Sequence, residues 1–153
     1  MTTKKKKKKK PSSTPLHKGR LDVTRSGMGF VIVEGREQDI LVRPSEFNTA
    51  LHGDIVRVKV SGNPSRNGRQ QGEVVEVVER KQMEFLGHVE ISQSFAFFIA
   101  ETDKPMPDIY IPLSKLNGAA DQDRVIVRIV EWEKNKKPQG EVVQVLDKTD
   151  AND

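Results

Sequence analysis

Hydrophobic and polar positions alternate over much of this chain with a period of two, the repeat of a half-buried strand. Val56, Val58 and Val60 fall on one side with Arg57 and Lys59 on the other, and Val125, Val127 and Ile129 stand against Ile126 and Arg128 in the same way. Short runs of this kind, punctuated by turn residues, predict strands near 18–25, 28–33, 39–43, 54–61 and 72–80, then near 85–92, 95–100, 108–112, 123–132 and 140–147. Ser45 to Thr49 and Ser114 to Gly118 each predict one helical turn between the third and fourth strands, opened by a serine cap. Val and Ile together number 27 against 14 for Leu plus Ala. Branched side chains suit a pleated surface, so the fold class is all-β.

The two sets of strands are one unit written twice. Arg20-Leu21-Asp22-Val23-Thr24 recurs as His88-Val89-Glu90-Ile91-Ser92, and Phe30-Val31-Ile32 as Phe97-Phe98-Ile99. Asp39-Ile40-Leu41-Val42 returns as Asp108-Ile109-Tyr110-Ile111, and Ser45-Glu46-Phe47-Asn48 as Ser114-Lys115-Leu116-Asn117. Gly72 to Val78 returns as Gly140 to Leu146, and the offset stays at 67 to 69 throughout. Order, residue type and spacing persist over five segments, which defines tandem units at 18–81 and 82–149, with a tail at 1–17 and a short end at 150–153. With no cysteine in the chain, neither unit has a disulfide staple, and each must hide its edges and build a core by packing alone. A partly open Greek-key barrel does both. The expectation is two tandem five-stranded OB-fold barrels after a disordered basic tail.

Charge changes this picture once it is divided along the chain. Of 26 basic and 22 acidic residues, seven are the adjacent lysines Lys4 to Lys10, so the rest of the chain holds 19 basic against 22 acidic, a net of −3. Such a lysine run beside Pro11-Ser12-Ser13-Thr14-Pro15 buries no apolar surface. It reads either as a sequence-blind arm for phosphate or anionic lipid, or as a solubilising or cloning-derived leader. Residues 16–80 carry ten basic and nine acidic side chains, while residues 81–153 carry nine and thirteen. The longest apolar run, Phe95 to Ala100, is six residues, far below the roughly 20 that span a bilayer. No membrane association is expected, and the absence of cysteine fits a reducing cytoplasm.

Candidate chemistry lies on the second strand of each unit, in Ser26-Gly27-Met28-Gly29-Phe30-Val31-Ile32 and Ser94-Phe95-Ala96-Phe97-Phe98-Ile99. Residues two apart share a face, which pairs Met28 with Phe30 and Phe95 with Phe97, and turns Gly29 and Ala96 inward to where a neighbouring strand approaches. If Ile40, Val42, Ile109 and Ile111 fill the core, the third strand adds Leu41 and Arg43, or Tyr110 and Pro112, to the same outer side. A flat apolar platform flanked by cations is what unstacked bases need, since every base has a π-face. Arg25, Arg43, Arg57 and Lys59 are the candidate phosphate contacts. A one-residue slip exchanges the faces and makes Phe97 and Phe95 core, with Phe98 and Ile99 outside.

These strings resemble the two RNA-binding motifs of a cold-shock domain, usually written K-G-F-G-F-I and V-F-V-H. Together with D-I-Y-I-P-L-S-K-L-N-G-A, the Glu131-Trp132-Glu133 loop and the closing G-E-V-V-x-V-L, the chain from 18 to 150 resembles the paired cold-shock domains of the ribonuclease R group in the RNase II family. The resemblance implies a monomeric single-stranded RNA-binding module that feeds a magnesium-dependent 3'-to-5' exoribonuclease domain in cis. Departures from the pattern are Met28 and Leu41 in place of aromatics and Arg43 and Pro112 in place of His. Stacking and phosphate attraction are thus divided between an aromatic-poor, slightly basic first unit and an aromatic-rich, acidic second one.

Catalytic patterns are missing from the sequence. His17, His52 and His88 lack a second ligand at metal spacing and read as solvated imidazoles. Asp121-Gln122-Asp123 aligns with His52-Gly53-Asp54 and reads as turn chemistry. Gly27-Met28-Gly29 lacks the third glycine and following helix of a dinucleotide loop. The expectation is a non-enzymatic chain without a cofactor or metal of its own, with magnesium belonging to the parent enzyme. A free-standing RNA chaperone of two cold-shock units, or an interaction module docking on a larger enzyme or ribosome, are the alternatives.

Overall fold

The computed structural model describes residues 16–61 and 69–147. Expectations about residues 1–15 and 148–153 therefore lie outside the described residues. The chain divides between Lys81 and Gln82 into two compact units. In the first, β1 (Leu16–Val23), β2 (Gly29–Ile32), β3 (Ile40–Val42), β4 (Ile55–Ser61) and β5 (Gln71–Glu79) close into a barrel in the order β1-β2-β3-β5-β4. In the second, β6 (Glu84–Ile91), β7 (Ala96–Ala100), β8 (Ile109–Ile111), β9 (Arg124–Glu131) and β10 (Gln139–Asp147) close in the equivalent order β6-β7-β8-β10-β9. One pair in each barrel is parallel, β3 with β5 and β8 with β10, and the others are antiparallel. This is the expected pair of OB-fold barrels.

β1 begins at Leu16, two residues earlier than expected, because Leu16 and His17 extend the ladder opposite Lys59 and Val58. Those two residues belong to the barrel and not to the tail. The same strand serves two neighbours, with Leu16–Arg20 against β4 and Arg20–Val23 against β2. Gly19 sits beside this handover, where a Cβ would collide with the Ile32 carbonyl and the Val31 side chain. Gly87 does the same in β6, against the Ile99 carbonyl and the Phe98 ring. Bulges at Ile55/Val56 and Arg57/Val58 on one β4–β5 ladder, matched on β9–β10, bend the long strands enough for closure.

The interiors follow the period-two reading. Leu21, Val23, Val31, Ile40, Val42, Val56, Val58, Val60 and Val74 fill the first barrel, and Val89, Phe98, Ile109, Ile111, Val125, Val127 and Val142 the second. The paired core positions are filled differently: Leu21 faces Val31 in the first barrel, where the second sets the smaller Val89 against the larger Phe98.

The helical turns are 3-10 turns at Pro44–Glu46 and Leu113–Lys115, without a side-chain cap. The serine caps expected there are a correction: each turn starts one residue early, Arg43 and Pro112 occupy the N-cap positions, and the serines lie inside the turn. Proline suits this entry because its φ is already set and the N–H it lacks would have no intrahelical partner. Each turn ends on an asparagine with positive φ, Asn48 at 60° and Asn117 at 51°. Their amides donate to the Val74 and Val142 carbonyls at 3.2 and 2.7 Å, tying the turn to the fifth strand.

Buried carboxylates close the far side. Asp54 is 1% exposed, and its Oδ2 accepts the Leu51 N–H at 2.8 Å and an Arg80 guanidinium N–H at 2.7 Å, while Oδ1 accepts the Lys81 N–H at 3.0 Å. Asp123, equally buried, accepts the Ala120 N–H at 2.8 Å. The turn reading of the Asp121-Gln122-Asp123 string holds, with Gln122 at φ 69° where the first copy has Gly53. His52 needs correcting. Its Nδ1 accepts the Val23 N–H at 2.9 Å and lies 3.5 Å from Asp22 Oδ1, so it ends β1 much as Asp121 Oδ1, accepting the Ile91 N–H at 2.7 Å, ends β6.

Candidate nucleic-acid interface

Gly29 and Ala96 point inward and are buried, which turns their neighbours Phe30 and Phe97 outward. What approaches Gly29 most closely is a ring, with the neighbouring strand behind it: a Cβ there would stand 2.5 Å from Phe47 Cε1 and 3.0 Å from a Leu21 methyl of β1. The second barrel carries Ala96 and Leu116 at these positions of the repeat, an added methyl on the strand and a smaller side chain in place of the ring.

Across the sheet, Phe30 pairs with Leu41, and Phe97 with Tyr110. Ile40, Val42, Ile109 and Ile111 are fully buried, so Leu41 and Tyr110 share the outer side with the two phenylalanines. In the second barrel Phe95, Phe97 and Tyr110 form one cluster. Ring centroids are 5.2 Å apart for Phe95–Phe97, 6.3 Å for Phe95–Tyr110 and 6.2 Å for Phe97–Tyr110, in tilted and edge-on contacts that leave ring faces presented at different angles. Phe95 is 38% exposed, and Phe97 and Tyr110 are half-buried. Pro112, two residues beyond Tyr110, is half-buried at the entry to the 3-10 turn.

The first barrel repeats this plan with less π surface. Met28 is half-buried and lies in a turn closed by Thr24, whose N–H donates to the Met28 carbonyl at 2.9 Å and whose Oγ1 accepts the Met28 N–H at 3.2 Å. Leu41 is half-buried, and Arg43 and Arg25 are exposed near the ends of the platform strands. Arg57 and Lys59 are not brought to this platform. Both lie on β4, which pairs with β1 and β5, and Arg57 Nε is committed to Glu76 Oε2 at 3.1 Å while Lys59 stands opposite Glu73. The alternation that identified them as outward residues does not say which strands flank them, and closure of the barrel decides that.

Two residues outside the sequence-predicted set belong to the site. The Arg69 guanidinium carbon lies 5.1 Å from the Phe30 ring centroid, and Lys137 Nζ lies 5.9 Å from that of Phe97. Both precede the fifth strand of their unit, held by matching backbone bonds, Leu41 N–H to the Gln70 carbonyl and Tyr110 N–H to the Pro138 carbonyl, each 2.9 Å. On the opposite flank β1 and β6 set Asp22 beside Phe30 and Glu90 beside Phe97. Each platform therefore runs from a carboxylate, across an aromatic, to a cation. The repeat offset of 68 that links residues 69 and 137 was the available signal.

Away from the platforms, Arg124 holds Glu101 in a two-point contact at 2.9 and 3.1 Å. That hydrogen-bonded guanidinium keeps the Glu101 carboxyl below the usual carboxylate range. Among the described residues no three His, Asp or Glu side chains converge as a cation site.

Two closed five-stranded barrels in tandem, each with an aromatic on its outer face, place the chain in the OB-fold class. Residues 19–77 match the ribonuclease B OB domain and residues 97–153 the cold shock domain. The chain is 28% identical to ribonuclease R of Vibrio cholerae over 148 residues, covering 94% of this chain and 18% of that protein. It is 32% identical to ribonuclease R of Thermotoga maritima over 133 residues, covering 86% of this chain and again 18% of the relative. In fold it superposes on Mycoplasma genitalium RNase R, solved with ribose-methylated single-stranded RNA, with a TM-score of 0.77 at 18% identity over 87% of this chain and 22% of that one. A yeast pseudonuclease gives a TM-score of 0.72 at 20% identity over 90% of this chain and 23% of its own. The two units are thus similar to the OB and cold-shock domains of ribonuclease R, and the chain spans about a fifth of the length of these relatives.

Proposed function

We propose that this chain is the single-stranded RNA-binding region of a ribonuclease R-like 3'-to-5' exoribonuclease, a cytoplasmic enzyme whose magnesium-dependent nuclease domain lies in the same polypeptide. The barrels bind and deliver the strand and do not cut it. The observation that carries this reading is the outward cluster of Phe95, Phe97 and Tyr110 with Lys137 over one ring. Aromatic faces take bases without reading sequence, and a nearby cation offsets backbone charge. Stacking platforms of this kind require unpaired bases, which supports a preference for single strands.

Fluorescence anisotropy with one labelled RNA, alone and annealed to its complement, tests the proposal. The single strand is expected to bind more tightly and to quench or shift Trp132 or the label, while its length stays constant with magnesium present. Equal affinity for duplex and single strand refutes the stacking mechanism, and progressive shortening of the strand refutes the non-catalytic reading.

A further inference from the structure

We infer that Arg69 and Lys137 are nucleic-acid-binding residues, each forming the second jaw of a clamp whose first jaw is the phenylalanine of its own barrel, so that each barrel takes one base between ring and cation. This rests on the RNA-binding reading above and adds to it the residues that close over the base. The same arrangement is built twice, from different side chains, at the same point of the topology. In both units the cation precedes the strand that pairs in parallel with the third strand, and a 2.9 Å backbone bond to that third strand sets its position above the ring.

The spacing suits a clamp that opens slightly. The cations stand 5.1 and 5.9 Å from the ring centroids. A flat base occupies one van der Waals layer, about 3.5 Å from each neighbour, so Arg69 has to lift by roughly 2 Å and Lys137 by roughly 1 Å. For the exposed Lys137 the cation–ring attraction given up is weaker than the base stacking that replaces it, and in both barrels the base then offers the cation a π-face of its own.

The two jaws are mounted differently. Arg69 Nη2 donates to Gln38 Oε1 at 3.4 Å, and the adjacent Gln70 Oε1 accepts from Arg36 Nη2 at 2.6 Å, which pins the loop to the turn between β2 and β3. Lys137 hangs from a loop shaped by the Trp132 indole N–H donating to the Lys136 carbonyl at 3.0 Å, the Lys136 N–H donating to the Glu133 carbonyl at 3.1 Å, and Asn135 at φ 67°. Lys137 itself is exposed. A planar guanidinium lies flat on a base, whereas an ammonium on a flexible stem acts as a point charge at its rim.

A double-mutant cycle in the full chain decides the matter, using a short fluorescein-labelled single-stranded oligoadenylate and the wild type, Phe97→Ala, Lys137→Ala and the double variant. Lys137→Ala is expected to weaken binding about threefold to tenfold when Phe97 is present, the size of one cation–π contact, and less than about twofold when it is absent. Melting temperature should not move, because Lys137 is a surface residue. An equal loss in both backgrounds makes Lys137 a general attractive charge and overturns the clamp while leaving RNA binding intact. Failure of the wild type to bind overturns the binding reading itself. The parallel cycle of Phe30→Ala with Arg69→Ala is expected to show the same coupling, read against the melting temperature of each variant.

Discussion

Two small residues decide where the aromatics stand. Gly29 and Ala96 occupy equivalent inward positions, yet the first is backed by the Phe47 ring and the second unit has Leu116 at that place. Gly29→Ala without any other change drives a methyl into the ring and is expected to destabilise the first barrel by about 1 to 3 kcal/mol, the usual cost of overpacking. Adding Phe47→Leu, which recreates the second barrel's combination, should recover most of that loss. Denaturant unfolding of the two variants measures it, and a double variant no more stable than Gly29→Ala sinks the volume-exchange account. Alternation made Phe30 and Phe97 legible as outward residues. It did not reveal what fills the space behind Gly29, because that ring comes from a turn 18 residues further along the chain.

At the level of elements, strand positions were readable to within two residues because each barrel strand has one wet face and one dry face. Turn entry was less legible. A serine before a helical turn suggests a cap, but Arg43 in extended geometry followed by Pro44 starts the first turn a residue earlier. The cations over the rings were invisible to periodicity altogether. Arg69 and Lys137 are placed by parallel pairing of the third and fifth strands, a long-range contact that no local pattern encodes. Side-chain bridges between elements lead to a pH prediction. Glu101, beyond the end of β7, is held by Arg124 on β9, and its carboxyl is lowered in the folded state by that hydrogen bond. A depressed folded pKa means the bridge contributes above the unfolded carboxylate range and is lost as pH falls through the folded value. Glu101→Gln should therefore melt slightly lower than wild type at neutral pH. The two melting curves should converge as both samples are acidified below the carboxylate range, and a difference that persists in strong acid excludes the bridge as its cause.

Across the whole molecule, attraction and stacking are carried by different parts of the sequence. The seven lysines Lys4 to Lys10 outweigh the net −3 of everything else, whereas the larger aromatic cluster sits on the second unit, which has nine basic and thirteen acidic residues over 81–153. Charge and its separation from stacking were both legible in the sequence, and the outward face of β7 adds that Phe95, Phe97 and Tyr110 meet as one cluster. Two variants separate the contributions. Deleting residues 1–15 removes the charges that displace counterions from the strand, so affinity for single-stranded RNA should fall and its logarithm should depend less steeply on the logarithm of salt, by up to about 0.7 for each phosphate the lysines had neutralised. Phe97→Ala removes a stacking face and no charge, so it should weaken binding by about 1 to 3 kcal/mol with the salt slope unchanged. Titrations of both variants over a range of salt concentrations give the two slopes directly. If Phe97→Ala flattens the slope as much as the deletion does, the ring acts by organising Lys137 and other cations around a phosphate, and the base-stacking role assigned to the platform is wrong.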